Sequence, residues 1–354
     1  MHIVHLALGG CLRAPPVTFG ITADTGGHIA YVLDAATAQA ARDDVDAVQI
    51  VTRAFDDPLL GAVHAVPCEP LTGKLAIHRL ATADRRYLEK EELAADLPAF
   101  ADAFCTWLAA LPRLPDVIHA HFADAAHVAH HARARFAIPV VYTPHALGLD
   151  KSRQGARSPA LDARIAQERA AIAGADAIIV STRDEADRQV RAYAVADAAA
   201  RLHCVPPGVP VRPGNAGRRT IVDRLGEWLD EPARPILLVV ARPVAKKNIA
   251  ALLRGYAATP ALRALANIVV LAGQQDGRAL GEEAAVLAEL KALAASLPLR
   301  GRIALPARHD AADVDALDAR AAKGGVFVNP ALHEPFGLTL LEAAAAASRS
   351  VSPN

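Results

Sequence analysis

Apolar residues along this chain fall into short, nearly uninterrupted runs separated by Ala-rich stretches of helical character. The runs at 3–6, 48–52, 75–79, 117–119, 140–143, 177–180, 236–240, 268–272, 303–305 and 326–328 predict strands. Continuous apolarity, rather than alternation, is what parallel strands need when both faces of their sheet are covered. The stretches at 27–42, 97–111, 161–173, 249–256 and 311–322 predict helices. Alternation of this kind predicts an α/β protein with parallel sheets.

The alternation breaks once, in the proline-rich run that starts at Val205. Proline removes backbone donors and fixes φ, so this run cannot be helix. It divides the chain into a first Rossmann-like domain at 1–204, a linker at 205–217 and a second Rossmann-like domain at 218–354. A length of 354 residues agrees with two domains, at about 150 residues each. Ligands of open α/β sheets bind beyond the carboxyl ends of the strands. Two sheets face to face would set those ends across one cleft.

Composition narrows the function. Hydrophobic residues make up 53% and charged residues 21% of the chain, enough for a packed core and a soluble surface. The formal net charge is zero, so no global field favours nucleic acid or an anionic membrane. An anion site must therefore be a local cluster. Cys11, Cys68, Cys105 and Cys204 form no CxxC pair and read as free thiols of a reducing compartment. The chain start is too short and broken for a signal peptide, and no apolar run predicts a membrane span. A cytoplasmic location is the expectation.

Five segments carry candidate chemistry. In 24–31, Asp24 or Thr25 can cap a helix, and Gly26 and Gly27 allow close backbone approach to a ligand. In 116–124, His119 and His121 share one face at a strand end. They read as core, hinge or cleft-lining residues, since no third metal ligand has suitable spacing. In 142–151, His145 follows a strand and can donate to a sugar hydroxyl, and Lys151, in a loop, can meet a phosphate. In 241–248, Arg242 and Lys247 flank a proline turn into a helix, a pairing suited to a diphosphate whose charge grows as it leaves. In 329–342, Glu334 and Glu342 bracket a Pro-Phe-Gly turn whose 337–339 amides would open a helix. There is no GxGxxG, which argues against a dinucleotide enzyme.

Together these segments resemble the retaining GT-B glycosyltransferases, and within them the sucrose-phosphate synthase branch. The resemblance rests on DTGG at 24–27, IHAHFAD at 118–124, HALGLDK at 145–151, VPPG at 205–208, ARPVAKKN at 241–248 and KGGVFVNPALHEPFGLTLLEA at 323–343. It implies a GT-B fold and transfer of glucose from UDP-glucose to fructose 6-phosphate with retention, giving sucrose 6-phosphate and UDP. Another nucleotide sugar, as in mannosylfructose-phosphate synthases, and the sucrose synthase reaction are the neighbouring alternatives. An inactive remnant that binds sugar phosphates is the alternative of another class.

The resemblance also implies roles for individual residues. Arg242 and Lys247 hold the donor diphosphate, Glu334 contacts the transferred hexose, and Glu342 contacts the ribose. Phe336, Gly337 and Leu338 present backbone amides to the donor. Gly26, His28 and His145 border the reacting sugars. Lys90, Lys151 and Arg164 are candidates for the acceptor phosphate, with Arg86 in reserve. No cofactor beyond the co-substrate, and no metal, is implied. His28 stands where the family usually has Gln. After Glu342 the sequence leaves the family pattern for Ala347-Ser-Arg-Ser, polar and predicted to lack a strand. A one-base deletion in a GC-rich Gly-Leu-Pro-Val codon run would produce that change. The expectation is a second domain left incomplete.

Overall fold

The computed structural model describes residues 1–90, 92–153, 158–209, 217–275, 281–296, 298–332, 334, 337–346 and 350–351. The chain divides into two compact units, Met1–Pro15 with Ala23–Gly208, and Pro16–Thr22 with Val209–Asn354. The division at Gly208 falls inside the proline-rich run. That the short segment Pro16–Thr22 packs with the second unit has no signal in the sequence. Its Phe19 carbonyl accepts from Gln274 Nε2 at 3.3 Å.

The first unit is built on strands β1 (His2–Leu6), β2 (Ala47–Arg53), β3 (Cys68–Pro70), β4 (Leu75–Leu80), β5 (Val117–His121), β6 (Val140–Thr143), β7 (Ala177–Val180) and β8 (Leu202–Cys204). Its helices are α1 (Gly27–Ala40), α2 (Leu93–Ala109), α3 (Phe122–Phe136), α4 (Leu149–Arg153) and α5 (Pro159–Gly174). The strands form one sheet in the order β3-β4-β2-β1-β5-β6-β7-β8. All pairings are parallel except β3 with β4. The strands β3 and β8 were not legible in the sequence, because three residues at a sheet edge carry no continuous apolar run. Phe100 and Phe104 of α2 and the alanines of α3 close over β1, β5 and β6, forming an extensive buried cluster. Helix α5 starts where local rules place it, with Ser158 Oγ accepting from Leu161 N and Pro159 in the first turn.

The second unit contains β9 (Ile236–Val240), β10 (Asn267–Leu271), β11 (Ile303–Ala304), β12 (Val326–Val328) and β13 (Ser350–Val351). Helices α6 (Ile249–Ala258), α7 (Pro260–Leu265), α8 (Gly281–Ala295), α9 (Ala311–Ala321) and α10 (Leu338–Ala345) accompany them. The sheet runs β11-β10-β9-β12-β13, parallel throughout. Its strands are buried on both faces. Leu238, Val269 and Leu271 join Leu317 and Phe327 on one side. The intervening Val239, Ile268 and Val270 join Leu253, Tyr256 and Leu290 on the other. Two-sided burial is why these strands read as unbroken apolar runs. The expectation of no strand after 346 is corrected: Ser350 and Val351 pair with Phe327 and Val328. A two-residue edge strand needs only backbone partners, so its sequence gave no sign of it.

Among the described residues, no helix is long and apolar enough to cross a membrane. All four cysteines are free.

Candidate active site

The order of strands locates the chemistry. In the second unit the sheet reverses direction between β9 and β12, with β10 and β11 on one side and β13 on the other. Such a reversal leaves a crevice beyond the carboxyl ends of the two central strands, where α/β proteins bind ligands. The loop after β9 carries Arg242 and Lys247, and the loop after β12 carries Glu334. Lys247 Nζ donates to Glu334 Oε2 at 2.5 Å, across 87 residues of sequence. Asn329 Nδ2 donates to the same oxygen at 3.0 Å, and Leu332 N donates to the Lys246 carbonyl at 2.9 Å. Glu334 is thus oriented from two sides. The Lys247 side chain is 18% exposed and ion-paired.

Arg242 Nη2 donates to Glu283 Oε1 at 2.6 Å, and Ala245 N donates to Glu282 Oε1 at 2.9 Å. Both acids lie in the first turn of α8. The sequence offered no cue that this turn would face the loop after β9. Gly337 precedes α10 with φ of 79°, the left-handed region that glycine occupies without strain. Leu338 opens the helix, and Glu342 is half-buried one turn in. Phe336 lies outside the described residues.

In the first unit the reversal falls between β1 and β5. A small, open pocket lies there, lined by Leu8, Gly9, Leu93 and Phe122 with the polar Asp24, His28, Lys90, His121 and Asp124. Lys90 Nζ lies 4.3 Å from the centroid of the Phe122 ring. Burial, then the nearby Arg164 guanidinium, pulls the Lys90 ammonium down to about 8. Burial pushes the Asp124 carboxyl up. The expected caps of α1 are corrected. Thr25 Oγ1 accepts from Cys11 N at 3.0 Å and Asp24 Oδ2 from Lys90 N at 3.2 Å, so both side chains stitch loops together. Gly26 is the cap residue, with open space where a Cβ would stand.

The loop after β6 carries His145, in the left-handed region at φ 58°. Phe122 is at φ 68° and Asn248, beside Lys247, at φ 55°. Non-glycine residues held there cost energy and concentrate at functional sites. The buried carboxylate of Glu168 holds the His145 loop, accepting from Gly148 N at 2.9 Å and from the Tyr193 hydroxyl. Arg164 Nε donates to Glu168 at 2.8 Å, so this candidate phosphate ligand also braces the loop. Arg86 is exposed and paired with Asp84 at 2.7 Å. Lys151 falls in α4 rather than in a loop, and its side chain is outside the described part.

His145 joins a row of imidazoles. Its Nε2 lies 2.8 Å from His121 Nδ1, His121 Nε2 lies 2.9 Å from His5 Nδ1, and His5 Nε2 lies 2.6 Å from Gln39 Oε1. His119 Nε2 contacts Thr143 Oγ1 at 2.7 Å. Burial lowers all four histidines, His5 to about 4 and the others well below their ordinary value. The strands supply what sequence spacing lacked, because pairing of His5 with His119 gives a third imidazole. One nitrogen from each of His5, His119 and His121 lies within 4.8 Å of the others, a spacing that can hold a metal ion.

Residues 25–212 match the family model for Glycosyltransferase Family 4, and residues 227–351 match that for Glycosyl transferases group 1. The chain is 28% identical to a probable sucrose-phosphate synthase of Vicia faba, over 98% of this chain and 40% of that protein. It is 32% identical to a probable sucrose-phosphate synthase 1 of Oryza sativa subsp. japonica, over 98% of this chain and 39% of that protein. The chain therefore spans about two-fifths of the length of the curated relatives it matches. A solved sucrose-phosphate synthase from Thermosynechococcus elongatus superposes with a TM-score of 0.75 at 24% identity, over 99% of this chain and 80% of that one. Anabaena HepE in complex with UDP and glucose superposes at 0.65 with 16% identity, over 99% and 80%. The fold is GT-B-like.

Proposed function

The chain belongs to Glycosyltransferase Family 4, and from that premise we propose that it transfers glucose from UDP-glucose to fructose 6-phosphate with retention. The products are sucrose 6-phosphate and UDP. The observation that carries this reading is the Lys247–Glu334 pair at the switch point of the second sheet. A cation and a carboxylate locked together beside a helix start can bind a diphosphate and a sugar hydroxyl at once. The names of the relatives support the phosphate-accepting branch.

In this reading Arg242 and Lys247 neutralise the leaving diphosphate, whose charge grows toward the transition state. The backbone amides of Gly337 and Leu338 approach the same group. Glu334 orients the hexose and Glu342 the ribose. The leaving phosphate accepts the acceptor's proton on the same face, so no protein nucleophile is needed. The acceptor is placed beside the open pocket of the first unit. In this reading Gly26, His28 and His145 border the sugar and Lys90, Lys151 and Arg164 are the candidates for its phosphate; of these, His28 and Lys90 line the pocket.

The test is UDP release from UDP-glucose with fructose 6-phosphate, fructose or no acceptor, and with GDP-mannose replacing the donor. Release that requires both UDP-glucose and fructose 6-phosphate is expected. Lys247→Ala should lower kcat by about 10²–10³-fold, the loss of a transition-state contact. Equal use of fructose, preference for GDP-mannose, or full activity in Lys247→Ala would each overturn the corresponding assignment.

A further inference from the structure

We infer that Gln39, acting through His5 and His121, holds His145 in the tautomer with its proton on Nε2 and leaves Nδ1 as a lone-pair acceptor. Its catalytic consequence rests on the transfer reading above; the tautomer itself does not.

The argument starts from what a neutral imidazole can do. It has one N–H donor and one lone-pair acceptor, so a row of neutral imidazoles must point one way along its whole length. Burial keeps His5, His121 and His145 in the neutral form. Their ring planes follow one another, 12° apart between His5 and His121 and 28° apart between His121 and His145. With nitrogen contacts of 2.9 and 2.8 Å, the rings meet edge to edge through hydrogen bonds.

Direction is set at the end of the row. Gln39 Oε1, an acceptor only, stands 2.6 Å from His5 Nε2. His5 must therefore carry its proton on Nε2 and present a bare Nδ1. His121 must answer with Nε2–H, which leaves its own Nδ1 bare. His145 must then donate from Nε2. Every member of the row has a partner, and among the described residues His145 Nδ1 is the nitrogen left to accept. Were Gln39 to present its amide N–H₂, each tautomer would reverse and His145 would carry Nδ1–H. The expectation that His145 donates to a sugar hydroxyl changes accordingly: Nδ1 receives one.

The row spans three elements and the loop after a fourth, which is why no sequence motif contains it. Gln39 ends α1, His5 lies on β1, and His121 closes β5. His145 follows β6 with its left-handed backbone, its ring 4.9 Å from Tyr31 and 6.1 Å from His28. Gln39, His5 and His121 are positioning residues in this account. A metal ion held by His5, His119 and His121 would claim one nitrogen of each ring, and since both nitrogens of His5 and of His121 are engaged in the row, it would break the row.

The test uses the full chain labelled with ¹⁵N-histidine. Long-range ¹H–¹⁵N correlation at pH 7.5, without substrate, assigns the tautomer of each ring. His5, His121 and His145 should all be Nε2–H. Gln39→Glu, which can only accept, should keep that pattern and keep kcat within about twofold. Gln39→Leu removes the anchor. It should give a mixture of tautomers at His145 and lower kcat several-fold with little change in KM, while a dispersed spectrum and a parental melting temperature show that it folds. Nδ1–H at His145 in the parent overturns the inference. So does an unchanged tautomer in Gln39→Leu, or a stoichiometric metal ion found by elemental analysis. A protein with the expected tautomers but no UDP release supports the row and removes the transfer reading instead.

Discussion

Lys90 shows how one buried charge links stability to binding. Its ammonium is held at about 8 by burial and by Arg164, against roughly 10.4 in an unfolded chain. Between those values the unfolded chain keeps a proton that the folded chain has released. The contribution of Lys90 to stability therefore rises with pH across that window and is at its least below about 8. Phosphate binding runs the other way, because a phosphate dianion needs the ammonium. KM for fructose 6-phosphate should climb as pH passes about 8, by up to about tenfold per unit. In Lys90→Arg the guanidinium stays charged and the climb should disappear. Initial rates between pH 7 and 9.5 decide this, and a flat KM in the parent would remove Lys90 from the acceptor site. In the sequence Lys90 was one loosely placed cation among several. Its burial, its contact with Phe122 and the partner Asp124 come from packing and could not be read from spacing.

At the scale of elements, the turn into α10 sets the geometry around Glu334, the proposed hexose contact. Gly337 has φ of 79°, and a Cβ there would stand 2.9 Å from Leu340 Cδ1 and 3.3 Å from Glu334 Cγ. Gly337→Ala therefore adds backbone strain of about 1–2 kcal/mol and pushes Glu334 away from Lys247. Misplacement by about 1 Å can cost roughly 10²-fold in rate. Turnover should fall by 10- to 100-fold, with melting lowered by only a few degrees. Near-parental turnover would show that this turn does not position Glu334. The helix start at 337–338 was legible locally, from glycine, the Pro-Phe-Gly turn and the apolar run behind it. That Glu334 reaches Lys247, and that Arg242 meets Glu283 on α8, depends on β9 lying beside β12 and on α8 packing over the sheet.

At the scale of the whole molecule, the histidines divide unevenly. Burial lowers His5, His64, His78, His119, His121, His130 and His145, all in the first unit, whereas His309 is the lowered histidine described in the second. A group whose folded value is depressed is protonated first in the unfolded chain. Stability is full above about 6.5 and is lost as pH falls. For His5 and His64 the loss continues to about 4. The first unit should therefore be the more acid-sensitive. The two tryptophans report this separately, Trp107 in the first unit and Trp228 in the second. In Trp228→Phe and Trp107→Phe proteins, the urea midpoint read by Trp107 should fall more between pH 7 and 5.5 than that read by Trp228. Equal shifts, or a larger shift at Trp228, would refute it.

The sequence by itself determined the α/β class and the positions of ten strands, because strands buried on both faces must be apolar throughout. It also marked the segments that carry candidate chemistry, since glycines, prolines and charges act over a few residues. Only the tertiary structure decided which of those segments meet. His5 and His121 are 116 residues apart and touch because β1 pairs with β5. Lys247 and Glu334 touch because β9 pairs with β12. Strand order in a parallel sheet is set by the crossover connections and by which faces the helices cover, and neither leaves a local trace in the residues that end up side by side. The protonation of Lys90 and of the histidine row follows from the same cause, because both are properties of the surroundings that packing creates.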